Sequence, residues 1–215
     1  MDAIIEYLPT FLNGFGQTLL LLVVAGAGAF VLGTVVAAMR ISPVPPLRAF
    51  AAIYTELLRN TPLTLVLFFC AFVLPYLEVE LPYRTLALIG LTAYTAPFVA
   101  EAIRSGVNGV AVGQAEAARS IGLGFGQTLG LIVLPQAVRM VIPPLINVFI
   151  ALTKNTSVAG AFFVGELLAA SRQVINFRGD EVIAILLAAA AFYLVITIPL
   201  GVIASIIEKK VAVKR

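Results

Sequence analysis

The chain has 215 residues, of which 61% are hydrophobic and 12% charged, and its mean hydropathy is +1.06. These values lie far outside the range of soluble domains and indicate a membrane protein. The net charge of +3 comes with no basic cluster interleaved with aromatic residues, which argues against nucleic-acid binding. Because the chain contains no histidine, His-based metal sites and Ser-His nucleophiles are excluded, and the single Cys70 cannot form an intrachain disulfide.

Five stretches are apolar enough to cross a bilayer, whose hydrocarbon layer takes about 20 residues of helix. The stretch between Arg139 and Lys154 is too short to span by itself. It is long enough only if its helix begins near Ile132 and the side chain of Arg139 extends toward the headgroups. The sequence therefore predicts an all-α membrane protein with one domain over residues 1–215. The predicted spans are residues 18–39, 61–76, 85–103, 132–153 and 182–207.

Basic residues flank these spans unevenly. Ten Lys and Arg residues lie in the loops after the first and third spans and in the tail, against four on the other side, namely Arg84, Lys154, Arg172 and Arg178. Cytosolic loops carry the excess of Lys and Arg. We therefore expect the amino terminus outside the cell and the carboxyl terminus in the cytosol, with no cleaved signal peptide.

In chain order, the first span carries Gly26, Gly28 and Gly33, which allow neighbouring helices to approach closely. Residues 42–60 have apolar side chains at helical spacing, which is typical of a helix along the cytosolic interface or of one packed under the bundle. Thr61 is expected to cap the second span and Pro62 to occupy its first position. Pro97 is expected to kink the third span.

The hexapeptide GFGQTL occurs twice, at residues 14–19 and 124–129. A phosphate-binding loop of the Walker type needs an earlier glycine and a following Lys. Phe11 and Gln17 occupy those positions in the first copy, and Ile121 and Gln127 in the second. The flanking residues do not continue the match, so neither a nucleotide site nor a duplication is indicated. Both copies are expected where a loop enters an apolar helix.

Residues 113–139 read GQAEAARSIGLGFGQTLGLIVLPQAVR. The first part favours a short cytosolic helix that ends near Gly122. Glu116 and Arg119 are three residues apart and are expected to pair on its surface. Pro135 is placed to begin the fourth span. Such a helix, tied directly to two membrane helices, is able to transmit movement from a soluble partner.

The spacing of Glu116-Ala117-Ala118, Gly122, Ile132 and Leu134-Pro135 resembles the EAA loop of permease subunits of bacterial ABC importers. In that family the helix docks into a groove of the ATPase. The resemblance implies the type I importer permease fold, with five transmembrane helices and a cytosolic EAA coupling helix in a loop at residues 104–131. It assigns ATPase coupling to Gly113, Gln114, Glu116, Ala117, Ala118 and Gly122.

Other matches narrow the resemblance to polar amino-acid importers. Arg59-Asn60-Thr61-Pro62-Leu63 resembles their RGTPL signature, with Asn60 where glycine is usual. Departures at Ala111 and Val112 fall at the entry of the loop. Residues 97–123 are most similar to glutamate permeases. The remaining matches are Ala100-Glu101, Arg104, Gly113-Gln114, Pro143-Pro144, Asn147 and the run from Lys154 to Ser157.

Polar side chains in a span are costly and are functional candidates. Asn147 is predicted either to line the substrate pathway or to satisfy a backbone group freed by Pro143 and Pro144. The cluster Lys154, Asn155, Thr156 and Ser157 offers a cation and donors to a carboxylate substrate, or simply ends a helix. Glu166 belongs to an outer gate or is a solvated loop carboxylate. Glu101 and Arg104 are expected to pair.

The residues and the resemblance together imply the transmembrane subunit of an ATP-driven importer of a polar amino acid, expected to be glutamate, in the bacterial plasma membrane. The subunit is expected to be no enzyme and to hold no metal or cofactor, with ATP and Mg bound by a partner ATPase. Implied partners are a cytosolic ABC ATPase dimer, an identical or homologous second permease subunit, an extracytoplasmic substrate-binding protein and membrane lipid, but no nucleic acid. The alternative is an ion-coupled secondary transporter or channel for small polar solutes. An intramembrane enzyme is disfavoured by the absence of His.

Overall fold

The computed structural model describes residues 2–212, and this part of the chain is helical throughout, with no β-strand. Lys214 and Arg215, which belong to the basic tail, lie outside the described residues. Short 3-10 turns cover Thr156–Ala161 and Gly179–Glu181. The helices are α1 (Asp2–Glu6), α2 (Leu8–Ile41), α3 (Pro45–Arg59), α4 (Leu63–Tyr76), α5 (Tyr83–Asn108), α6 (Val112–Ser120), α7 (Phe125–Ala161), α8 (Leu167–Phe177) and α9 (Val182–Ala212).

Four helical segments are long and apolar enough to cross a membrane, namely α2, α5, α7 and Gly179–Lys210. Helices α3 and α4 make a fifth when they are counted as one broken span, because they meet at a bend of 102°. The expectation that Thr61 caps α4 is wrong. Its hydroxyl donates to the Leu57 carbonyl at 2.8 Å, and Pro62 takes the N-cap position in an extended conformation.

Two helices begin before the predicted start of their spans. Helix α2 starts at Leu8 rather than near residue 18, so the first GFGQTL copy lies wholly inside it, and no loop ends there. Glycine inside a helix is unfavourable by about 0.5–1 kcal/mol relative to alanine. Here Gly14 is buried against α8, so that a Cβ at this position would lie 2.7 Å from the Cβ of Ala170. Packing between distant parts of the chain outweighs the local preference.

Helix α7 begins at Phe125, and Pro135 lies inside it rather than at its start. A wider π-helical turn, Thr128–Val133, directly precedes Leu134 and Pro135. The same arrangement occurs in α4, where the π turn Phe69–Val73 precedes Leu74 and Pro75. A proline ring clashes with the carbonyl four residues earlier and offers it no N–H donor. The wider turn displaces that carbonyl, so the helix continues through the proline.

Helix α2 is the central element of the bundle. It packs against α3, α5, α7 and α8. Its close contact with α5 depends on Gly33, where a Cβ would lie 2.6 Å from the Cβ of Val99. The main core cluster combines buried residues from α2, α4, α5 and the end of α7. It contains Leu21, Ala25, Leu63, Leu67, Ala87, Leu91, Leu152, Ala159 and Val164.

Residues 42–60 are predicted to form a helix along the cytosolic interface or a helix packed under the bundle, and α3 has features of both. One face packs on α2 and α5, with Ala51 and Thr55 buried and the Tyr54 hydroxyl donating to the Ala93 carbonyl at 2.8 Å. The opposite face exposes apolar side chains, including Phe50 and Leu57. Such a helix lies against the bundle and presents an apolar surface at the interface.

Ion pairs mark the end of the bundle that carries α1. Arg178 pairs with Glu6 on α1 at 3.1 Å, with Asp180 at 3.1 Å and with Glu181 at 2.6 Å. The backbone N–H of Ala3 also donates to Glu181. Together these contacts fasten α1 to the start of α9. We call the opposite end, which carries α3 and α6, the coupling end.

Two glycines of the first GFGQTL copy provide a matched test of this packing. Gly14→Ala places a methyl group against Ala170 and the Leu167 backbone, so we expect a loss of about 1–3 kcal/mol in stability. Gly16→Ala meets no atom within 4 Å and should be neutral or stabilising by about 0.5–1 kcal/mol. Thermal unfolding of the purified protein in detergent measures both. Equal stability of the two variants would contradict the described contact between α2 and α8.

Candidate functional site

The coupling end presents a short separate helix, α6. Its start is preceded by Ala111 in an extended conformation. Its end is closed by Gly122, whose φ of +90° few other residues adopt. The N–H of Gly122 donates to the Arg119 carbonyl at 3.0 Å, and that of Leu123 donates to the Ala118 carbonyl at 3.2 Å. These bonds satisfy the last carbonyls of the helix and turn the chain into α7.

Nearly all of α6 is exposed. Ala118 is its one buried residue, and the helix packs on the π turn of α7. The side chain of Glu116 makes no ion pair with Arg119 among the described residues, so the expected pairing is wrong. Apolar side chains border this surface, with Ile121 81% and Phe125 80% exposed. The other residues assigned to coupling, namely Gly113, Gln114, Glu116, Ala117 and Gly122, are exposed on or beside α6.

Tight contacts join α5 to α7 just before the chain enters α6. Just before α6, a Cβ at Gly106 would overlap Val141 of α7, and one at Gly109 would lie 3.0 Å from the sulfur of Met140. The end of α5 therefore packs closely on the early part of α7. Helix α6 thus follows a closely packed junction of two spans and itself packs on the π turn of α7.

An ion-pair cluster joins α3 to α5 at the coupling end. Arg104 donates to Glu101 through Nε at 3.1 Å and through Nη2, which confirms the predicted pair. Arg59 at the end of α3 lies 3.8 Å from the same carboxylate and 5.8 Å from the centroid of the Phe98 ring. The broken span α3–α4 is thereby linked to the helix that leads into α6.

A cleft of about 430 Å³ lies between α5 and α7. The side chain of Thr95 is 3% exposed, and its hydroxyl has no hydrogen-bond partner within the described range 2–212. An unpartnered buried hydroxyl is costly, which makes this position a candidate for ligand contact. No sequence pattern points to Thr95, because a threonine in a helix ordinarily bonds to its own backbone. The polar and aromatic lining consists of Tyr94, Thr95, Phe98, Asn147 and Asn155.

The predicted cluster at residues 154–157 is not brought together at one site. Asn155 lines the cleft, whereas Lys154 is exposed. Thr156 is fully buried and donates to the Thr153 carbonyl at 2.7 Å, and Ser157 donates to the Lys154 carbonyl at 2.7 Å. Two of the three hydroxyl and amide side chains thus bond to carbonyls at the end of the helix. Asn147, by contrast, lines the same cleft as Asn155.

Glu166 is fully buried, so the expectation of a solvated loop carboxylate is wrong. It is the N-cap of α8 and accepts hydrogen bonds from the N–H groups of Leu168 at 2.9 Å and Ala169 at 2.8 Å. The Tyr193 hydroxyl of α9 donates to it at 2.8 Å. Burial raises the pKa of this carboxyl above its ordinary value, while the three hydrogen bonds act in the opposite direction.

The chain matches a known family and several curated relatives over almost its whole length. Residues 29–213 match the family described as binding-protein-dependent transport system inner membrane component. The glutamate transport system permease protein GluC of Corynebacterium glutamicum is 41% identical over 219 residues, which cover 96% of each chain. The probable glutamine ABC transporter permease protein GlnM of Bacillus subtilis is 42% identical over 200 residues, which cover 93% of this chain and 92% of the relative.

Solved structures share the fold. The crystal structure of an amino acid ABC transporter with histidines superposes with a TM-score of 0.89 at 28% identity and covers 96% of both chains. An inward-facing structure of the MetNI methionine ABC transporter superposes with a TM-score of 0.71 at 18% identity, which shows the fold alone. The long helices, the exposed α6 and these matches lead to one conclusion. The chain belongs to the binding-protein-dependent transport system inner membrane components and is a non-catalytic, multi-pass inner-membrane permease subunit of an amino-acid ABC importer.

Proposed function

We propose that this chain carries glutamate across the plasma membrane and that α6 is the element through which a cytosolic ATPase moves the spans. The observation that carries the proposal is the exposure of α6, whose Glu116 and Ala117 face away from the bundle. Membership in a binding-protein-dependent family implies an ATPase and a substrate-binding protein as partners. Glutamate is favoured by residues 97–123 and by the similarity to a glutamate permease, with glutamine as the alternative suggested by a second relative.

The proposed orientation places the amino terminus outside the cell and the coupling end in the cytosol. It is supported by the excess of Lys and Arg in the loops at the coupling end, which include Arg40, Arg59, Arg104 and Arg119. In this orientation α6 faces the compartment that contains ATP. The ATPase, proposed to act as a dimer, holds ATP and Mg, and this chain supplies no catalytic group.

The proposed cycle begins when closure of the ATPase dimer displaces α6. The movement passes to α7 through the packing of α6 on its π turn, and to α5 through the contacts of Gly106 with Val141 and of Gly109 with Met140. The ion pair of Glu101 with Arg59 extends the movement from α5 to α3. The cleft between α5 and α7 then opens to the two sides of the membrane in turn. In this scheme residues 1–215 form a single domain, and the coupling loop of residues 104–131 moves as part of it.

The proposed substrate pathway follows the cleft. Asn147 and Asn155 contribute amide donors and acceptors, and Thr95 contributes a hydroxyl that lacks a protein partner. Lys154, exposed one residue before Asn155, meets the carboxylate of the substrate at the outer mouth. Because the side chain of Asn147 is exposed on one open face of this chain, a second permease subunit, identical or homologous, completes the pathway.

Coupling through α6 is tested by reversing a charge. We expect Glu116→Lys to leave the protein in the membrane and to abolish uptake, because the docking surface of the ATPase then meets a cation. Glu56→Lys is the matched control, since Glu56 is an exposed carboxylate on α3 at the same end of the bundle. Uptake of radiolabelled glutamate by cells gives the readout. Unchanged uptake in Glu116→Lys would remove α6 from the coupling role.

The transport class is tested by reconstitution in liposomes. We expect glutamate to enter only when the ATPase, the binding protein and ATP are present. An ion gradient alone should drive nothing, because the family acts with a binding protein and not as a secondary transporter. Uptake driven by an ion gradient without any ATPase would overturn the proposal.

The cleft is tested by removing one hydroxyl. Thr95→Val deletes an unpartnered group, so thermal stability should stay unchanged or rise, while uptake should weaken by about fivefold if the substrate bonds to the hydroxyl. Thr153→Val is the matched control, because its buried hydroxyl donates to the Phe149 carbonyl at 2.9 Å and is not among the groups that line the cleft. Equal uptake by both variants would exclude Thr95 from the pathway.

A further inference from the structure

A buried polar cluster, which we call the Glu166 latch, lies outside the proposed pathway. It consists of Thr18 on α2, Thr156 at the end of α7, Glu166 before α8 and Tyr193 on α9. The first three are 0% exposed. The Tyr193 hydroxyl donates to Glu166 at 2.8 Å, the N–H of the adjacent Leu167 donates to the Thr18 hydroxyl, and Gly160 at the end of α7 packs on the Glu166 carboxylate. The latch therefore connects four elements that are distant in sequence.

The carboxylate of Glu166 is held by hydrogen bonds rather than by a cation. No ion pair to it occurs in the described part of the chain. Two backbone N–H groups and the Tyr193 hydroxyl are its donors. A buried charge without a bonded counterion is costly unless its donors are in place, and Arg172 acts on this carboxylate only at a distance. Gly160 packs so closely on Oε1 that a Cβ there would overlap it. The position of the carboxylate thus depends on all these neighbours together.

The latch holds α8 next to a second cleft of the structure. The N–H of Leu167 donates to the Thr18 hydroxyl at 3.1 Å, and Gly14 contacts Ala170. Next to these contacts lies a second cleft of about 490 Å³ between α2 and α8, lined by Thr10, Asn13 and Gln173. Apolar packing also holds α8 against α2, since Phe11 is buried in one cluster with Leu167 and Val174, and the hydrogen bonds of the latch add to this packing at the start of α8.

The latched segment also supports the proposed pathway. Ala159 and Val164, which precede Glu166, pack in the same core cluster as Leu152. Leu152 and Asn155 in turn line the cleft between α5 and α7. A shift of the segment that follows α7 therefore shifts the wall of that cleft, since closely packed side chains move together.

We propose that Glu166 is a positioning residue for transport, which holds residues 156–177 against α2 and α9 through Thr18 and Tyr193 and thereby fixes one wall of the cleft. It touches no substrate in this arrangement. The consequence for transport rests on the proposed function, whereas the structural role of the latch does not.

Two variants distinguish the two roles of Glu166, which are to accept the hydrogen bond from Tyr193 and to cap α8. Glu166→Asp keeps a carboxylate that caps α8, because Asp is a preferred N-cap residue, but is too short to reach Tyr193. Tyr193→Phe removes the same hydrogen bond from the other side and leaves the cap intact. Ser171→Ala is the matched control, since it deletes a buried hydroxyl of α8 that bonds only within its own helix, to the Leu167 carbonyl at 2.7 Å.

A buried cysteine reports release of α8. Val174→Cys, in a Cys70→Ser background, places a thiol on the face of α8 that is 0% exposed. In the purified complex we expect Tyr193→Phe and Glu166→Asp each to raise the rate of labelling by a small maleimide about fivefold, as expected for the loss of one hydrogen bond. The maximal rate of amino-acid uptake should fall in both variants, and the double variant should be no worse than either one.

Labelling as slow as in Ser171→Ala, or additive effects in the double variant, would overturn the latch. Faster labelling with undiminished uptake would overturn its role in transport. If the unmodified complex transports no amino acid, the proposed function fails, while the labelling rates still decide whether the latch holds α8.

Discussion

The fold depends on one constraint, the absence of water from the hydrocarbon layer. Every backbone N–H and carbonyl there has to find its partner inside the protein, which leaves helices as the only spanning structure open to this chain. The prolines show how strict the constraint is. Rather than end a helix at Pro75 or Pro135, the chain widens one turn before each of them and continues. A helix is interrupted instead at Asn60 to Pro62, where α3 and α4 meet at a bend of 102°.

Once helices are imposed, packing between them depends on small residues, because lipid provides no hydrophobic force to drive helices together. Gly14, Gly33 and Gly106 each bring two backbones so close that a methyl group would collide with the neighbouring helix. The contact of Gly106 with Val141 joins α5 to α7 shortly before the chain enters α6, a surface helix with one buried residue.

The polar groups divide into those that face outward and those that stabilise the interior. On α6, Glu116 makes no ion pair among the described residues and is free to meet a partner. In the cleft, the hydroxyl of Thr95 lacks a protein partner and is free to meet a substrate. Glu166 is the opposite case, since backbone and side-chain donors surround it. A charged residue in a membrane protein therefore does not by itself mark a pathway, because donors from the protein itself are able to account for its burial.

The sequence by itself determined what depends on local pattern. Apolar length indicated the spans, the spacing around Glu116 indicated the exposed helix and its family, and the three-residue spacing of Glu101 and Arg104 gave their ion pair. The tertiary structure decided what depends on contacts between distant residues. The hydrogen bond from Leu167 to Thr18 joins positions 149 residues apart, and together with the bond from Tyr193 it explains why Glu166 is buried. The packing of Gly14 against Ala170 explains why α2 continues through that glycine. No local pattern records such pairings, because the free energy that favours them arises only when the helices have already packed.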